Sequence, residues 1–242
     1  MQKNLFLILL GILFMQASLF AQKAPVVIEL FTSQGCSSCP PADQLLTEIE
    51  EKYQGEDVYI LSYHVDYWDY IGWKDPFGSK KYTEKQYDYA SRFRSRSVYT
   101  PQAVINGREH FTGSNRNQLY NRLKHYQTKA KEVDVQLTQV KHHRQRIFID
   151  YNLASLQDAK EITIVAVVKE RTTIVKRGEN RNRTLKNTHI VIAEETLNLD
   201  KSKGQLSLFI PEWVNDDDTI EVIAYVTSPT EGIVGATATS LE

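Results

Sequence analysis

Residues Pro25 to Phe31 read PVVIELF, and the turn residues Thr32-Ser33-Gln34-Gly35 lead from them into Cys36-Ser37-Ser38-Cys39-Pro40-Pro41. The first run is apolar and rich in β-branched side chains, as a buried strand is. Past the prolines, Leu45, Ile49 and Tyr53 recur at four-residue steps with Leu46 beside them, and Gly55 follows as a stop. That spacing predicts a helix. Proline is tolerated in a first helical turn, so the cysteine pair belongs at a helix start. Unpaired N–H groups and the helix dipole lower a thiol's pKa there, and the thiolate is the nucleophile. Cys36 is therefore expected as the exposed attacking thiol and Cys39 as the more buried resolving one.

Working outward, Asp57–Tyr63 reads as a second strand and Ser79–Arg94 as a helix with Tyr82, Gln86, Tyr89 and Phe93 on one side. Thr100-Pro101 precedes a short strand, Gln102–Ile105. Asn106-Gly107 is a hairpin turn signal, Glu109–Thr112 is the return strand, and Ser114 is placed to cap a last helix carrying Leu119, Leu123 and Tyr126. The order is β-α-β-α-β-β-α. It resembles the thioredoxin superfamily, and the strings ELFTSQGCSSCPPADQLL, YHVDYWDYIGWKDPF, VYTPQAVINGR and RGEN (Arg177–Asn180) are similar to a secreted thioredoxin-like family catalogued as domain of unknown function 1223. The resemblance implies that Pro101 is cis and beside the cysteines, that the Thr100 backbone pairs with an extended substrate, and that Glu29 is a buried acid able to relay a proton to Cys39. Tyr99, Thr100, His64, Asp66 and Trp68 are the expected substrate-binding residues, because they lie at the strand ends bordering the cysteine crevice. The alternative for the aromatics is that they pack a long loop.

From about Val133 the pattern changes to seven short strands, near 133–140, 146–153, 161–169, 188–199, 205–210, 219–227 and 232–239. The expected fold class is a thioredoxin-like α/β domain at 24–131 followed by an all-β, sandwich-like domain at 132–242. Between the third and fourth of these strands, Arg171–Asn187 is basic and polar and reads as a solvated loop, with reach to the cysteines or an anionic partner as the alternative.

The 242 residues hold 29 Lys+Arg and 30 Asp+Glu, a formal net charge of −1. Such a chain has no general electrostatic grip on nucleic acid. Lys3, the apolar run Leu5–Phe14 and the small residues Ala17, Ser18 and Ala21 predict an export signal over residues 1–21. The expectation is an exported, periplasmic or secreted protein with no membrane span after cleavage, needing no cofactor or metal, and exchanging thiols and disulfides with protein or small-molecule partners through Cys36 and Cys39. Two alternatives stay open. Cys36, Cys39 and His64 form a possible copper-binding set, or the pair is a structural disulfide in an interaction module.

Overall fold

The computed structural model describes residues 23–156 and 159–241. The export-signal reading of residues 1–21 lies outside them. In chain order the elements are β1 (Val26–Thr32), α1 (Pro40–Lys52), β2 (Val58–His64), a 3-10 turn (Asp69–Ile71), α2 (Lys80–Arg92), β3 (Gln102–Ile105), β4 (Glu109–Thr112) and α3 (Arg116–Gln127). Then come β5 (Val135–His143), β6 (Arg146–Leu153), β7 (Glu161–Ile174), β8 (Thr184–Asn198), β9 (Lys203–Phe209), β10 (Ile220–Ser228) and β11 (Gly232–Ser240). Local chemistry accounts for most boundaries. Pro40 and Pro41 open α1, and Asn106 and Gly107 turn the β3–β4 hairpin with φ of 47° and 64°, the double positive φ of a type I′ turn. The cap of α3 is Asn115, one residue past the expected Ser114; its side chain accepts from Gln118 N at 3.1 Å.

The expected fold class, thioredoxin-like α/β followed by an all-β sandwich-like domain, is overturned by the strand order. Among the described residues, strands from both halves form one eight-stranded mixed sheet, β11-β10-β7-β8-β2-β1-β3-β4, and only β5-β6-β9 make a separate sheet. The junction is parallel pairing of Ser62 with Ile190, reinforced by the Ser62 hydroxyl donating to Thr188 O at 2.7 Å. The sequence pattern carried a warning: Ile162–Val168 on β7 is buried without interruption, as in a central strand covered on both faces.

Three cores follow from this order. Val26, Ile28 and Leu30 of β1 pack against Leu45 and Ile49 of α1 and Leu119 and Leu123 of α3. On the other face Val27, Phe31 and Tyr63 meet Tyr82 and Tyr89 of α2 together with Val165, Val167, Ile223 and Ile233. The small sheet lays Ile147, Ile149 and Leu208 on Ile162, Ile164 and Val222. The large sheet curls so that the start of β11 returns to the β3–β4 turn, Ile233 N donating to Asn106 O at 3.3 Å. Gly232 is required there: at φ +76° a Cβ would stand 2.5 Å from Asn106 O.

Asn106 ties these parts together. Its Oδ1 accepts from Val27 N at 2.7 Å and its Nδ2 donates to Pro25 O at 3.1 Å. Asn106→Ala leaves the buried Val27 N–H unpaired and puts a Cβ-only side chain at positive φ, so urea unfolding is expected to show a loss of about 2–4 kcal/mol.

Candidate functional site

Parallel pairing of β1 with β2 sets Thr32 beside His64, so the loops after both strands open at the same end of the sheet. Cys36 and Cys39 lie in the first loop, joined as a disulfide with Cα atoms 5.5 Å apart. Ser37 and Ser38 between them are exposed, but both cysteines are 0% exposed. The expectation of an exposed Cys36 is thus corrected, and the covering element is the β7–β8 hairpin. Its strands run further than the sequence pattern indicated, shrinking the expected loop 171–187 to a tip at 175–183 closed by Val175 N donating to Arg183 O at 2.9 Å. Asn180 at this tip donates from Nδ2 to Gln34 O and Cys36 O, both at 2.9 Å. Glu179 accepts from Ser37 N at 3.1 Å, and Gln34 Nε2 donates to Asn187 Oδ1 at 2.9 Å. The polar composition of Arg171–Asn187 reflects bonding to the cysteine loop as well as contact with water.

The opposite side of the loop is formed by residues the sequence singled out. Trp68 Nε1 donates to Thr100 Oγ1 at 2.7 Å, Ser38 Oγ donates to Thr100 O at 3.4 Å, and the Thr100–Pro101 peptide is cis. Trp68 packs on Gly35, where a Cβ would lie 2.9 Å from its own Cβ. Two other expected substrate-binding residues are engaged elsewhere. The Tyr99 hydroxyl meets His110 Nδ1 at 3.0 Å, and Asp66 accepts from Thr83 Oγ1 of α2 at 2.6 Å.

Glu29 is fully buried, but on the face of β1 that turns to α2. Its Oε1 lies 3.3 Å from Lys85 Nζ and its Oε2 accepts from the Tyr89 hydroxyl. Lys85 in turn contacts Glu194 Oε2 at 2.7 Å. Burial raises the Glu194 pKa, but Lys85 and the Tyr63 hydroxyl outweigh it and hold the carboxylate below its usual range.

A buried acid in the first turn of α1, four residues after Cys39, is Asp43, which sequence reasoning missed. Its spacing of four from Cys39 was the available signal. Thr32 Oγ1 donates to Asp43 Oδ1 at 3.0 Å. Burial pushes the Asp43 pKa up to about 7, with His64 and the Thr32 hydrogen bond opposing. His64, expected to face substrate, is itself 0% exposed; its Nδ1 is 2.8 Å from Asp75 Oδ2, and its Nε2 has no hydrogen-bond partner. Burial works against the His64 cation, but Asp75 and then Asp43 overcome it and raise the pKa. Asp75 also accepts from Gln34 N at 2.7 Å and Phe77 N at 3.0 Å. Among the described residues no group of three or more His, Cys, Asp or Glu side chains is gathered as metal ligands; Cys36 and Cys39 are bonded to each other and His64 is bonded to Asp75.

Two outcomes follow. Between roughly pH 4 and 7 the folded chain holds a proton on Asp43 that the unfolded chain releases, so stability falls as pH rises through that window. The raised pKa of His64 acts in the same direction. Urea unfolding from pH 5 to 8 should show this fall, and Asp43→Asn should remove up to roughly 3 kcal/mol of it. Asn180→Ala, by deleting two hydrogen bonds over Cys36, should accelerate reduction of the disulfide by dithiothreitol about tenfold, followed by alkylation and mass measurement.

Several solved structures are similar to this chain. A crystal structure of a protein from Agrobacterium tumefaciens is 33% identical with a TM-score of 0.67, covering 92% of this chain and 99% of that one. OgpA from Akkermansia muciniphila matches at 15% identity and a TM-score of 0.29, over 46% of this chain and 28% of that one. A β-glucuronidase from Lactobacillus rhamnosus matches at 11% and 0.26, over 46% and 16%. Neither of these last two likenesses carries an argument about fold or function. No protein of curated function matches. No helix among the described residues is long and apolar enough to cross a membrane. The model of one family, described as protein of unknown function (DUF1223), matches residues 27–227, and the chain belongs to that family.

Proposed function

We propose that this protein is an exported thiol–disulfide exchange enzyme working through Cys36 and Cys39. The observation carrying this reading is the bonded pair at the start of α1 with a buried, protonatable Asp43 one turn further on. In the oxidising direction a partner's thiolate attacks Cys36 Sγ, forming a mixed disulfide, and the electron pair of the broken S–S bond passes to Cys39. Asp43, which burial keeps protonated up to about pH 7, is the nearby proton source for the Cys39 thiolate. A second partner thiol then attacks the mixed disulfide and releases Cys36. The partner loses two electrons and two protons, and the cysteine pair gains both. The reducing direction is the reverse, and the pair's potential selects between them. Trp68 and Thr100, both partly exposed, border the exposed Ser37–Ser38 edge and offer the contact surface for a protein or small thiol partner.

A second reading, a structural disulfide in an interaction module, is favoured by the complete burial of both cysteines. It has a physical weakness: a CxxC bridge closes a very short loop and so constrains the unfolded chain little. Titration in glutathione buffers with alkylation and mass readout separates the two. A reversible transition between about −120 and −270 mV is expected for exchange, and Cys39→Ala should then accumulate mixed disulfides at Cys36. A pair that stays oxidised below about −300 mV, or reacts only after unfolding, would leave the structural reading standing.

A further inference from the structure

Resting on the exchange reading above, we propose that the partner of Cys36 is an acidic polypeptide segment, whose carboxylate replaces Glu179 on the Ser37 N–H and so lifts the hairpin tip from the disulfide.

The exposed Ser37–Ser38 edge lies between two basic segments. On one side is the tip, where Lys176, Arg177 and Arg181 are exposed and make no ion pair among the described residues. On the other is the loop before Thr100, with Arg94 and Arg96 exposed and likewise without an ion pair. Lys74 is exposed beside Trp73, against which Gly178 of the tip packs, its Cβ position 3.1 Å from Trp73 Cβ. The acids at this end are already engaged. Asp66 accepts from Thr83, Asp69 accepts from Asp75 N at 3.1 Å, and Asp43 and Asp75 are buried. The far end of α1 holds Glu48, Glu50, Glu51, Glu56 and Asp57, of which Glu48, Glu50 and Glu56 are ion-paired with Arg116, Lys169 and Lys23. Six exposed cations, Lys74, Arg94, Arg96, Lys176, Arg177 and Arg181, therefore outnumber the solvent-reaching carboxylates Asp66, Asp69 and Glu179 around the disulfide. Such a field raises the encounter rate of an anionic partner.

Glu179 shows the chemistry that the partner must have. It is the one acid in Arg171–Asn187, and its carboxylate accepts from Ser37 N at 3.1 Å, a donor in the loop that leads into α1. Asn180, the next residue, holds Gln34 O and Cys36 O. A competing carboxylate on Ser37 N releases Glu179, and with it the neighbouring clamp over Cys36.

The test uses the oxidised protein and two synthetic cysteine peptides, one flanked by glutamates and one by lysines. Each rate of disulfide reduction is normalised to the same peptide's rate with neutral hydroxyethyl disulfide, which removes the difference in thiolate fraction. At about 20 mM salt the acidic peptide should react at least tenfold faster, the preference shrinking towards unity at about 0.5 M. Arg177→Glu with Arg181→Glu should abolish or invert the preference, and Lys201→Glu with Lys203→Glu on the small sheet should keep it. A salt-insensitive rate ratio near one in the unaltered protein overturns the proposal even if the charge-reversed variant fails to fold. If dithiothreitol reduces the folded protein while the peptides show no preference, only the partner assignment falls. If dithiothreitol does not reduce it either, the exchange reading falls as well.

Discussion

Strand β8 meets β2 at Ser62, where the hydroxyl donates to Thr188 O at 2.7 Å and the backbone pairs with Ile190. The surroundings of the disulfide depend on that junction. It sets the β7–β8 hairpin alongside β2, and because the hairpin strands are long, their tip extends past the end of β2 to the loop that follows β1. Gln34 receives it on four sides: its N donates to Asp75, its Nε2 to Asn187, its O accepts from Asn180 and its Oε1 accepts from Trp73 at 3.2 Å. A residue with four such partners, in the 73–75 loop, the hairpin tip and β8, holds one conformation.

The same join divides the buried polar groups into two sets with different work. Under α2, Lys85 sits between Glu29 and Glu194 with Tyr63 and Tyr89 donating to the carboxylates. Its charges are paired across β1, β8 and α2, which suits it to fixing how these elements register rather than to moving protons. Next to the cysteines, Asp43, His64 and Asp75 are likewise one base with two acids, but here burial keeps Asp43 protonated up to about pH 7 and one imidazole nitrogen lacks a partner. Groups whose environments push their pKa values apart, as with Asp43 raised and Asp75 lowered, are the arrangement acid–base chemistry uses.

Cover and reactivity are coupled at this site. The disulfide is protected by hydrogen bonds to backbone carbonyls of its own loop and by one carboxylate on a loop N–H. The two Asn180 bonds are buried and the Glu179 bond is exposed; each contributes on the order of 1 kcal/mol net, so a few polar contacts hold the tip on the loop.

Much of the secondary structure was legible in the residues. The helix start at Pro40-Pro41, the Asn106-Gly107 turn and all seven strands after residue 132 are local features, written in periodicity and turn chemistry, and the strands occur close to where the pattern put them. The sequence by itself also determined that Cys36 and Cys39 stand at a helix start and that Trp68, Thr100 and Pro101 belong to their neighbourhood. Tertiary structure alone decided which strand lies beside β2, and hence the single large sheet, the buried state of both cysteines and the approach of Glu179 and Asn180 from more than 140 residues away. It also decided that Asp43, not Glu29, is the acid on the cysteine side. The reason is physical: a strand's pattern of side chains states which faces are apolar, but its edges are made of backbone groups common to every residue, so the choice of neighbour is settled only when the whole chain packs.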